Sequence, residues 1–392
     1  MLDFVVGSPH TIPMAINQEM PEDVLMLILS RLPVKSLLRF KSISKYWYAL
    51  IQNPSFISLR YYARAQSKND SLLVNRSLAP HSESTLSLVS DETPIHDLYV
   101  PFSGSQVKGL CFVGSSNGIV CLTSCSSEIM LWNPATGEFR VLPGRPYHPW
   151  HTTNLGFAFD PKTNDYKVLS VARFINTSAD DRVHIYHMSM DSWREIDVAA
   201  VPKEIRRSHQ PYHPTWLDGA FYWIAPDSSG RYKIIAFHMF DEVFEQVFLP
   251  MDVICSKLAS SLNVLRDSLA LVTLEFDELA IEEPCLGIWL RDGNGVKDPW
   301  NKKYSIGPIL VHIKAFQILQ NGEFLLLLLG GHNCWMVSYN LDTQIIKDYG
   351  EVYTDSGSAY DQFCEFQAIS YTENLVSVKR RVYDLRKATT SS

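Results

Sequence analysis

The chain has 392 residues, of which 46% are hydrophobic, 20% charged and 12% aromatic. This composition is typical of a globular protein and excludes the collagen-like and intrinsically disordered classes. The longest apolar run, Phe324–Leu329, has six residues, well short of the roughly 20 that a membrane-spanning helix needs. The net charge of −7 argues against a nucleic-acid-binding protein.

Cysteine content and charge distribution indicate where the protein works and what it contacts. Seven cysteines without a C-x-x-C pair, and no basic, apolar leader in residues 1–19, predict reduced thiols and a cytoplasmic location, with the nucleus as an alternative. The charge is uneven, because residues 21–60 and 379–392 each carry +4, whereas residues 61–378 carry −13. We expect the acidic middle of the chain to favour basic partners.

Residues 1–19 are predicted to be a flexible N-terminus, and a short helical module follows over residues 20–59. Pro21 suits the first turn of a helix. Pro33 ends that helix, and two more short helices are predicted between Pro33 and Pro54. Twenty-two of these forty residues are apolar or aromatic, more than three short helices can hide in one another. The excess therefore packs either on the rest of the chain or on another protein.

Residues 60–70 form a polar run, which predicts a linker. Over residues 71–380 the spacing of apolar residues is that of short alternating strands. Five segments share one shape, an apolar strand ending in an aromatic residue and then a turn. Their aromatic residues are spaced by 54, 51, 52 and 50 positions: Trp132, Tyr186, Phe237, Trp289 and Tyr339. A second hairpin lies between successive segments. Two hairpins per repeat make a four-stranded blade, which predicts a β-propeller.

The number of blades follows from the two ends of this region. The last hairpin, at residues 366–380, has no partner after it, and the strands at residues 72–100 have none before them. Pairing the first with the last would complete a sixth blade and leave no open sheet edge. Seven blades remain an alternative if residues 72–100 contain more strands. The predicted fold is therefore mostly β, a three-helix module before a six-bladed or seven-bladed propeller, with residues 381–392 as a basic flexible tail.

No motif in the chain predicts bond-making chemistry, a cofactor or a metal site. Gly114–Gly118 matches the G-x-S-x-G pattern of hydrolases, but a strand follows it rather than a helix, which favours an ordinary hairpin turn. Histidine pairs such as His184 and His187, and cysteines such as Cys111 and Cys121, lack the ligand spacing of a zinc site. We therefore expect a protein that is not an enzyme.

The run LSRLPVKSLLRFKSISKYWYALIQNPSF within residues 20–59 resembles an F-box. This resemblance implies docking on a Skp-family adaptor, which belongs to a cullin–RING ubiquitin ligase. Carried over by position, it implies an adaptor-binding face made of Met20, Pro21, Leu25, Ile28, Leu29, Leu32, Pro33, Leu37 and Leu38, with Trp47 locking the third helix. Met20 stands where the family usually has Leu, a swap that costs less than about 1.5 kcal/mol.

The segments WNPATGEFRVLP, NDYKVLSV and DSWREID resemble the F-box-associated domain of plant F-box proteins. This domain is kelch-like in its period, although the kelch double glycine occurs only at Gly330-Gly331. Within that group, LPVKSLLRFKSISK and GSSNGIVCL are most similar to S-locus F-box proteins. That resemblance implies a pollen protein that binds non-self S-RNases for ubiquitination in self-incompatibility. An S-RNase is a basic secreted ribonuclease, a partner that suits the acidic middle of this chain.

Substrate contacts are expected in the inter-strand loops at 144–155, 175–182, 226–232, 277–284 and 353–362. Aromatic side chains and fixed charges dominate protein interfaces, which favours Tyr147, Trp150, Asp180, Asp181, Asp277, Glu278 and Tyr353 as contact residues. Two alternatives stay open. One is a ubiquitin-ligase receptor for a different plant substrate, immune or developmental. The other is a propeller enzyme such as a copper-dependent oxidase, which would need His and Tyr ligands that converge on one rim.

Overall fold

Four short helices begin the part of the chain that the structure describes. This computed structural model describes residues 20–65, 71–75, 85–89, 95–100, 110–124, 128–145, 152–173, 182–196, 214–226, 229, 231–250, 260–275, 285–293, 299–308, 312–319, 322–330, 333–354 and 367–379. The helices are α1 (Glu22–Ser30), α2 (Val34–Lys41), α3 (Lys45–Ile51) and α4 (Pro54–Ala65). Among the described residues, none of the helices is long and apolar enough to cross a membrane.

Local sequence explains where the first three helices begin. Pro21 and Pro33 directly precede α1 and α2, at positions where the missing proline N–H leaves no helical hydrogen bond unmade. Ser44 precedes α3, and its hydroxyl oxygen accepts a hydrogen bond from the backbone N–H of Trp47 at 3.3 Å. A serine in this position satisfies one of the free N–H groups at a helix start.

Twenty-four strands follow in the described residues. In chain order they are β1 (Ser71–Asn75), β2 (Leu86–Val89), β3 (His96–Asp97), β4 (Cys111–Ser116), β5 (Ile119–Thr123), β6 (Ile129–Asn133), β7 (Glu138–Val141), β8 (Thr152–Asp160), β9 (Asp165–Arg173), β10 (Arg182–His187), β11 (Ser192–Ile196), β12 (Thr215–Leu217), β13 (Ala220–Pro226), β14 (Tyr232–His238), β15 (Val243–Val247), β16 (Ser260–Leu265), β17 (Ser268–Glu275), β18 (Cys285–Arg291), β19 (Trp300–Ile306), β20 (His312–Ile318), β21 (Glu323–Gly330), β22 (Asn333–Asn340), β23 (Ile346–Thr354) and β24 (Gln367–Tyr371).

These strands form six antiparallel four-stranded sheets, the blades of a propeller. Blades 1 to 5 are β4–β7, β8–β11, β12–β15, β16–β19 and β20–β23, and blade 6 has the order β24-β1-β2-β3. Six clusters of buried apolar side chains lie between neighbouring blades. Blade 6 closes the ring, because Leu72 packs against Leu325 of blade 5 while Leu73 packs against Val120 of blade 1. The prediction of a six-bladed propeller is confirmed.

The predicted repeat corresponds to one position in the blade. All five repeated aromatic residues lie on the third strand of blades 1 to 5. In blades 2 and 3 this residue stacks on an aromatic residue of the fourth strand, with ring centroids 5.4 Å apart for Tyr186–Trp193 and 4.8 Å for Phe237–Phe244. Cross-strand aromatic pairs of this kind stabilise a sheet by about 0.2–1 kcal/mol each. The repeat therefore marks one structural position, which in blades 2 and 3 packs within the blade.

Two predictions near the ends of the propeller differ from the structure. The closing hairpin at 366–380 supplies only one strand, β24, which pairs with β1, so blade 6 combines one strand from the end of this region with three from its start. The predicted linker at 60–70 differs as well, because α4 continues to Ala65. Its polar residue Arg60 is fully buried, so the polarity of this segment serves an internal contact.

The hairpin turns define two faces of the propeller. The turns between first and second strands, such as those at Asn117, Asn164 and Asp218, lie on one face together with the turns between third and fourth strands. We call this the helix-side face, because α4 lies against it. In antiparallel blades the second-to-third connections and the blade-to-blade connections lie at the opposite ends of the strands, which we call the far face.

Candidate functional site

The helical module has an apolar core that the propeller completes. Its buried side chains are at most 4% exposed: Leu29, Val34, Leu37, Leu50, Ile51 and Phe56. Leu375, which follows β24, packs into the same cluster, and Ala135 from the turn between β6 and β7 lies beside it. The module is therefore packed directly on the helix-side face of the propeller.

One side of α1 carries apolar side chains that no described part of the chain covers. Met20, Val24, Leu27 and Ile28 are 52%, 43%, 52% and 47% exposed. Their spacing places them on one side of the helix. We call these four residues the α1 apolar face. Contiguous exposed apolar residues of this kind are typical of protein contact sites.

The predicted adaptor-contact residues separate into three groups. Those that are exposed are Met20, Pro21, Ile28 and Pro33; those that are half-buried are Leu25, Leu32, Leu38 and Trp47; those that are buried are Leu29 and Leu37. For Leu29 and Leu37 the prediction is corrected, because both fill the core of the module and present no surface to a partner.

Val24 and Leu27 lie on the apolar side of the helix next to the predicted adaptor stripe, and both are exposed. Helical periodicity identifies an apolar stripe, but α1 is apolar on two sides. Only the position of α4 and Leu375 decides which side is covered, and Leu375 is far away in sequence.

The start of α3 carries a second group of exposed apolar residues. Ile43, Tyr46 and Tyr48 are 66%, 53% and 50% exposed. Trp47 lies between them and is half-buried, with its ring 5.7 Å from the ring of Phe40 in α2. Trp47 therefore connects the start of α3 to α2, and its locking role stays a prediction.

Arg60 connects the helical module to the propeller. Its guanidinium is fully buried and donates hydrogen bonds to the carbonyl oxygen of Leu32 at 3.3 Å and to that of Glu373 at 2.9 Å. It also pairs with the Glu373 carboxylate at 3.4 Å. Burial lowers the pKa of Arg60, Arg64 lowers it further, and Glu373 acts in the opposite direction; an arginine stays charged nonetheless. One side chain therefore joins the loop between α1 and α2, helix α4 and the segment that follows β24.

Three asparagines fix the segment after β24 in place. The amide of Asn374 donates to the carbonyl and side-chain oxygens of Asn117 at 3.1 and 2.7 Å. Asn133 in turn donates to the carbonyl oxygens of Asn374 and Val376 at 3.0 and 2.7 Å. The hydroxyl oxygen of Tyr371 accepts from the N–H of Ala135 at 3.1 Å, and burial raises the pKa of Tyr371, so it stays a neutral phenol. Ring closure and helical docking thus share one hydrogen-bonded junction.

Most predicted substrate-contact residues lie outside the described residues: Tyr147, Trp150, Asp180, Asp181, Asp277 and Glu278. Tyr353 lies in β23 opposite Cys334. The described strand ends that flank the predicted loops, including Arg182, Tyr232 and Glu275, all lie on the far face. The described strand ends that flank the five predicted loops therefore share one face, opposite the face on which the helical module is packed.

At the far face, some described carboxylates are already paired with cations. Glu195 lies 3.6 Å from Arg182, and Glu275 lies 2.5 Å from Lys302. These pairs are close to neutral as units.

Nothing in the described part of the chain assembles a catalytic or metal-binding constellation. No group of three His, Cys, Asp or Glu side chains there is placed to hold a metal ion. Gly114–Gly118 lies at the hairpin between β4 and β5, as the following strand predicts. Burial raises the pKa of the Cys121 thiol, which keeps it neutral and unreactive. Burial also lowers the pKa of His184 and of His187.

Comparisons with known proteins agree with this architecture. Residues 18–59 match the F-box domain family, and residues 77–378 match the family described as F-box associated beta propeller domain. The F-box/kelch-repeat protein At3g17530 of Arabidopsis thaliana is 24% identical over 93% of this chain and 96% of its own length.

Two further relatives come from the same plant. F-box protein CPR1 is 24% identical over 73% of this chain and 72% of its own length. F-box protein At1g11270 is 24% identical over 70% of this chain and 88% of its own length. Another relative, at 27% identity, is covered over only 61% of its length.

The two family matches cover the helical module and the propeller in the order in which the structure places them. An F-box domain implies a Skp-type adaptor as a partner within an SCF ubiquitin ligase. The chain belongs to the F-box proteins that carry an F-box associated β-propeller domain.

Proposed function

We propose that this protein is a substrate-receptor subunit of an SCF-type cullin–RING ubiquitin ligase and has no catalytic residue of its own. The observation that carries the proposal is the α1 apolar face, which is exposed on a module packed rigidly against the propeller. The α1 apolar face binds the Skp-family adaptor, and the far face binds the protein substrate. Holding substrate lysines near the ligase-borne ubiquitin-conjugating enzyme raises their effective concentration.

Adaptor binding by single-residue variants tests the first half of the proposal. Ile28→Asp places a carboxylate in the centre of the α1 apolar face, and an unpaired carboxylate in an apolar interface costs several kcal/mol. Because Ile28 is 47% exposed, the substitution leaves the module core intact. We expect loss of at least about 100-fold in adaptor affinity, equivalent to about 3 kcal/mol.

The matched control is Ile346→Asp, which makes the same chemical change at a 66% exposed position on β23. It should bind the adaptor like the wild type. Leu29→Asp is a poor substitute, because Leu29 is buried and its replacement would unfold the module. If Ile28→Asp and Ile346→Asp bind the adaptor equally well, the α1 apolar face is not the adaptor site.

The proposed substrate is a non-self S-RNase, bound in the cytoplasm of the pollen tube. Two observations support this finer proposal: the resemblance of LPVKSLLRFKSISK and GSSNGIVCL to S-locus F-box proteins, and the charge of −13 on residues 61–378, which suits a basic ribonuclease. Binding of the adaptor-bound chain to a panel of S-RNases tests it. Selective binding that weakens between low and physiological salt is expected. Binding that ignores salt, or no binding to any S-RNase, would contradict it.

A further inference from the structure

Strand β24 closes the propeller ring from the C-terminal part of the propeller region. It occupies the first position of blade 6, which β4 occupies in blade 1. Its five residues, Gln367–Tyr371, pair with β1 over Ser71–Asn75, and residues 76–366 lie between the two strands. The entropic cost of bringing two segments together rises with the length of chain between them. A pairing this short across so long a loop therefore depends on further contacts to stay closed.

The residues that follow β24 contact two partners in alternation. We call residues 373–376 the closing segment. Its first and third residues contact the helical module. The carbonyl oxygen of Glu373 accepts a hydrogen bond from Arg60 at 2.9 Å, and the buried side chain of Leu375 packs in the core of the module. The closing segment is therefore part of the packing of the helices.

The second and fourth residues of the closing segment contact blade 1. Asn374 is fully buried, and its amide donates to the side-chain oxygen of Asn117 at 2.7 Å. The carbonyl oxygen of Val376 accepts from the amide of Asn133 at 2.7 Å, and the Val376 side chain packs in the apolar cluster between blades 1 and 2. The closing segment therefore holds the module and blade 1 at the same time.

The helical module depends on the closing segment in turn. Residues 20–59 are close to the size of about 40 residues below which a domain rarely folds without disulfides, metals or a partner. Leu375 is the buried member of the module core that comes from outside these residues. Arg60 is fully buried and bonds the carbonyl oxygens of both Leu32 and Glu373. Detachment of the closing segment would therefore expose the module core and the Arg60 guanidinium to water.

We infer that the closing segment is a latch, which keeps the propeller ring closed only while the helical module is folded. In the closed state the latch joins α4 and the module core to blade 1 and holds β24 on β1. In the open state the latch, β24 and the module core separate together. A change that stabilises or destabilises one partner therefore shifts the other by the same factor. The inference concerns contacts within this chain and does not rest on the ubiquitin-ligase function.

A substitution on the propeller side of the latch gives the first test. Asn374→Ala, made in the full chain, removes the amide that bonds Asn117. Amide exchange in α1 to α4 should become at least about tenfold faster than in the wild type, because the latch opens more often. Asn263→Ala is the matched control, since the Asn263 side-chain oxygen accepts from the N–H of Ile318 at 3.2 Å and joins blades 4 and 5 without contacting the module. Equal exchange of α1 to α4 in the two variants would overturn the inference.

A substitution in the core of the module gives the reciprocal test. Leu50 is 4% exposed in α3, and Leu50→Ala removes core contacts and destabilises the module. The amides of β24 should then exchange at least about tenfold faster than in the wild type, although the substitution lies outside blade 6. Leu27→Ala makes the same change at a 52% exposed position of α1 and should leave exchange in β24 unchanged. Wild-type exchange in β24 of the Leu50→Ala chain would overturn the inference.

Adaptor binding gives a third test, the one that does rest on the proposed function. A Skp-family adaptor at roughly 100 times its dissociation constant should stabilise the folded module about 100-fold. Exchange in β24 should then become at least about fivefold slower, along with exchange in α1. Slower exchange in α1 with an unchanged rate in β24 would overturn the inference. An adaptor that changes neither rate would contradict the adaptor proposal, and Asn374→Ala and Leu50→Ala would still decide on the latch.

Discussion

Replacing Arg60 with Met should release the helical module from the propeller. Met and Arg have similar helix propensities, so α4 itself should persist. The substitution leaves the carbonyl oxygens of Leu32 and Glu373 without their donor. The Glu373 carboxylate is 34% exposed and can be hydrated, so its lost ion pair contributes little. Two partly buried acceptors that lose a charged donor give a cost of about 2–5 kcal/mol.

Hydrogen exchange of α1 to α4 measures this cost directly, because it reports the opening of each element separately. A cost of about 2–5 kcal/mol corresponds to exchange that is roughly 30-fold to several thousand-fold faster. Exchange in blades 2 to 5 should change little, since Arg60 does not contact them. Arg39→Met, which removes an exposed arginine of α2, is the matched control. If both variants leave exchange in the helices at the wild-type rate, Arg60 does not hold the two modules together.

Two other substitutions test the junction and the electrostatics of blade 2. Gly118→Ala adds a Cβ that would lie 2.2 Å from the Cβ of Asn374, so it should lower the melting temperature more than Gly137→Ala. Gly137 also has a positive φ, but a Cβ there meets nothing within 4 Å. Gly137→Ala should therefore show only the backbone strain of about 1–2 kcal/mol. Equal losses of melting temperature in the two variants would mean that Asn374 moves away freely. Burial raises the pKa of Asp160, but hydrogen bonds from Lys167, Thr163 and the N–H of Lys162 outweigh it and bring the pKa to about 2. Because this value lies below that of the unfolded chain, near 3.9, the stabilisation of about 2 kcal/mol is complete above about pH 4 and is lost as the pH falls toward 2. Urea denaturation from pH 5 to 2 should therefore show a steeper loss of stability for the wild type than for Asp160→Asn, and parallel curves would contradict this assignment.

The propeller could be predicted because its blades repeat the same local physics. The third-strand aromatic residues recur every 50 to 54 positions, since each occupies the same position in its blade and packs into a cluster shared with a neighbouring blade. Asn117-Gly118 and Asp218-Gly219 predict hairpins for an equally local reason. Both pairs have positive φ, between 46° and 83°, a conformation that Asn, Asp and Gly tolerate best. Both features can be recognised within single repeats of the sequence.

The features that escaped prediction all depend on contacts between distant residues. Arg60 is polar and therefore indicated a linker, yet it is buried against Glu373, 313 positions away. The covered side of α1 is decided by α4 and Leu375. Blade 6 takes three strands from the start of the propeller region and one from its end. The reason is that the segment after Tyr371 leaves the sheet and forms hydrogen bonds with Asn117 and Asn133. No periodicity within a helix or strand carries this information.

Ubiquitin transfer in a reconstituted SCF complex tests the central claim most directly. The full chain, assembled with a Skp-family adaptor, cullin and RING subunits, should ubiquitinate an S-RNase that it binds. Ile28→Asp should bind the S-RNase with wild-type affinity but transfer no ubiquitin, because the proposed adaptor and substrate surfaces are separate. Ile346→Asp should behave as the wild type in both assays. Unchanged transfer by Ile28→Asp, or loss of both activities in that variant, would contradict a receptor with two separate surfaces.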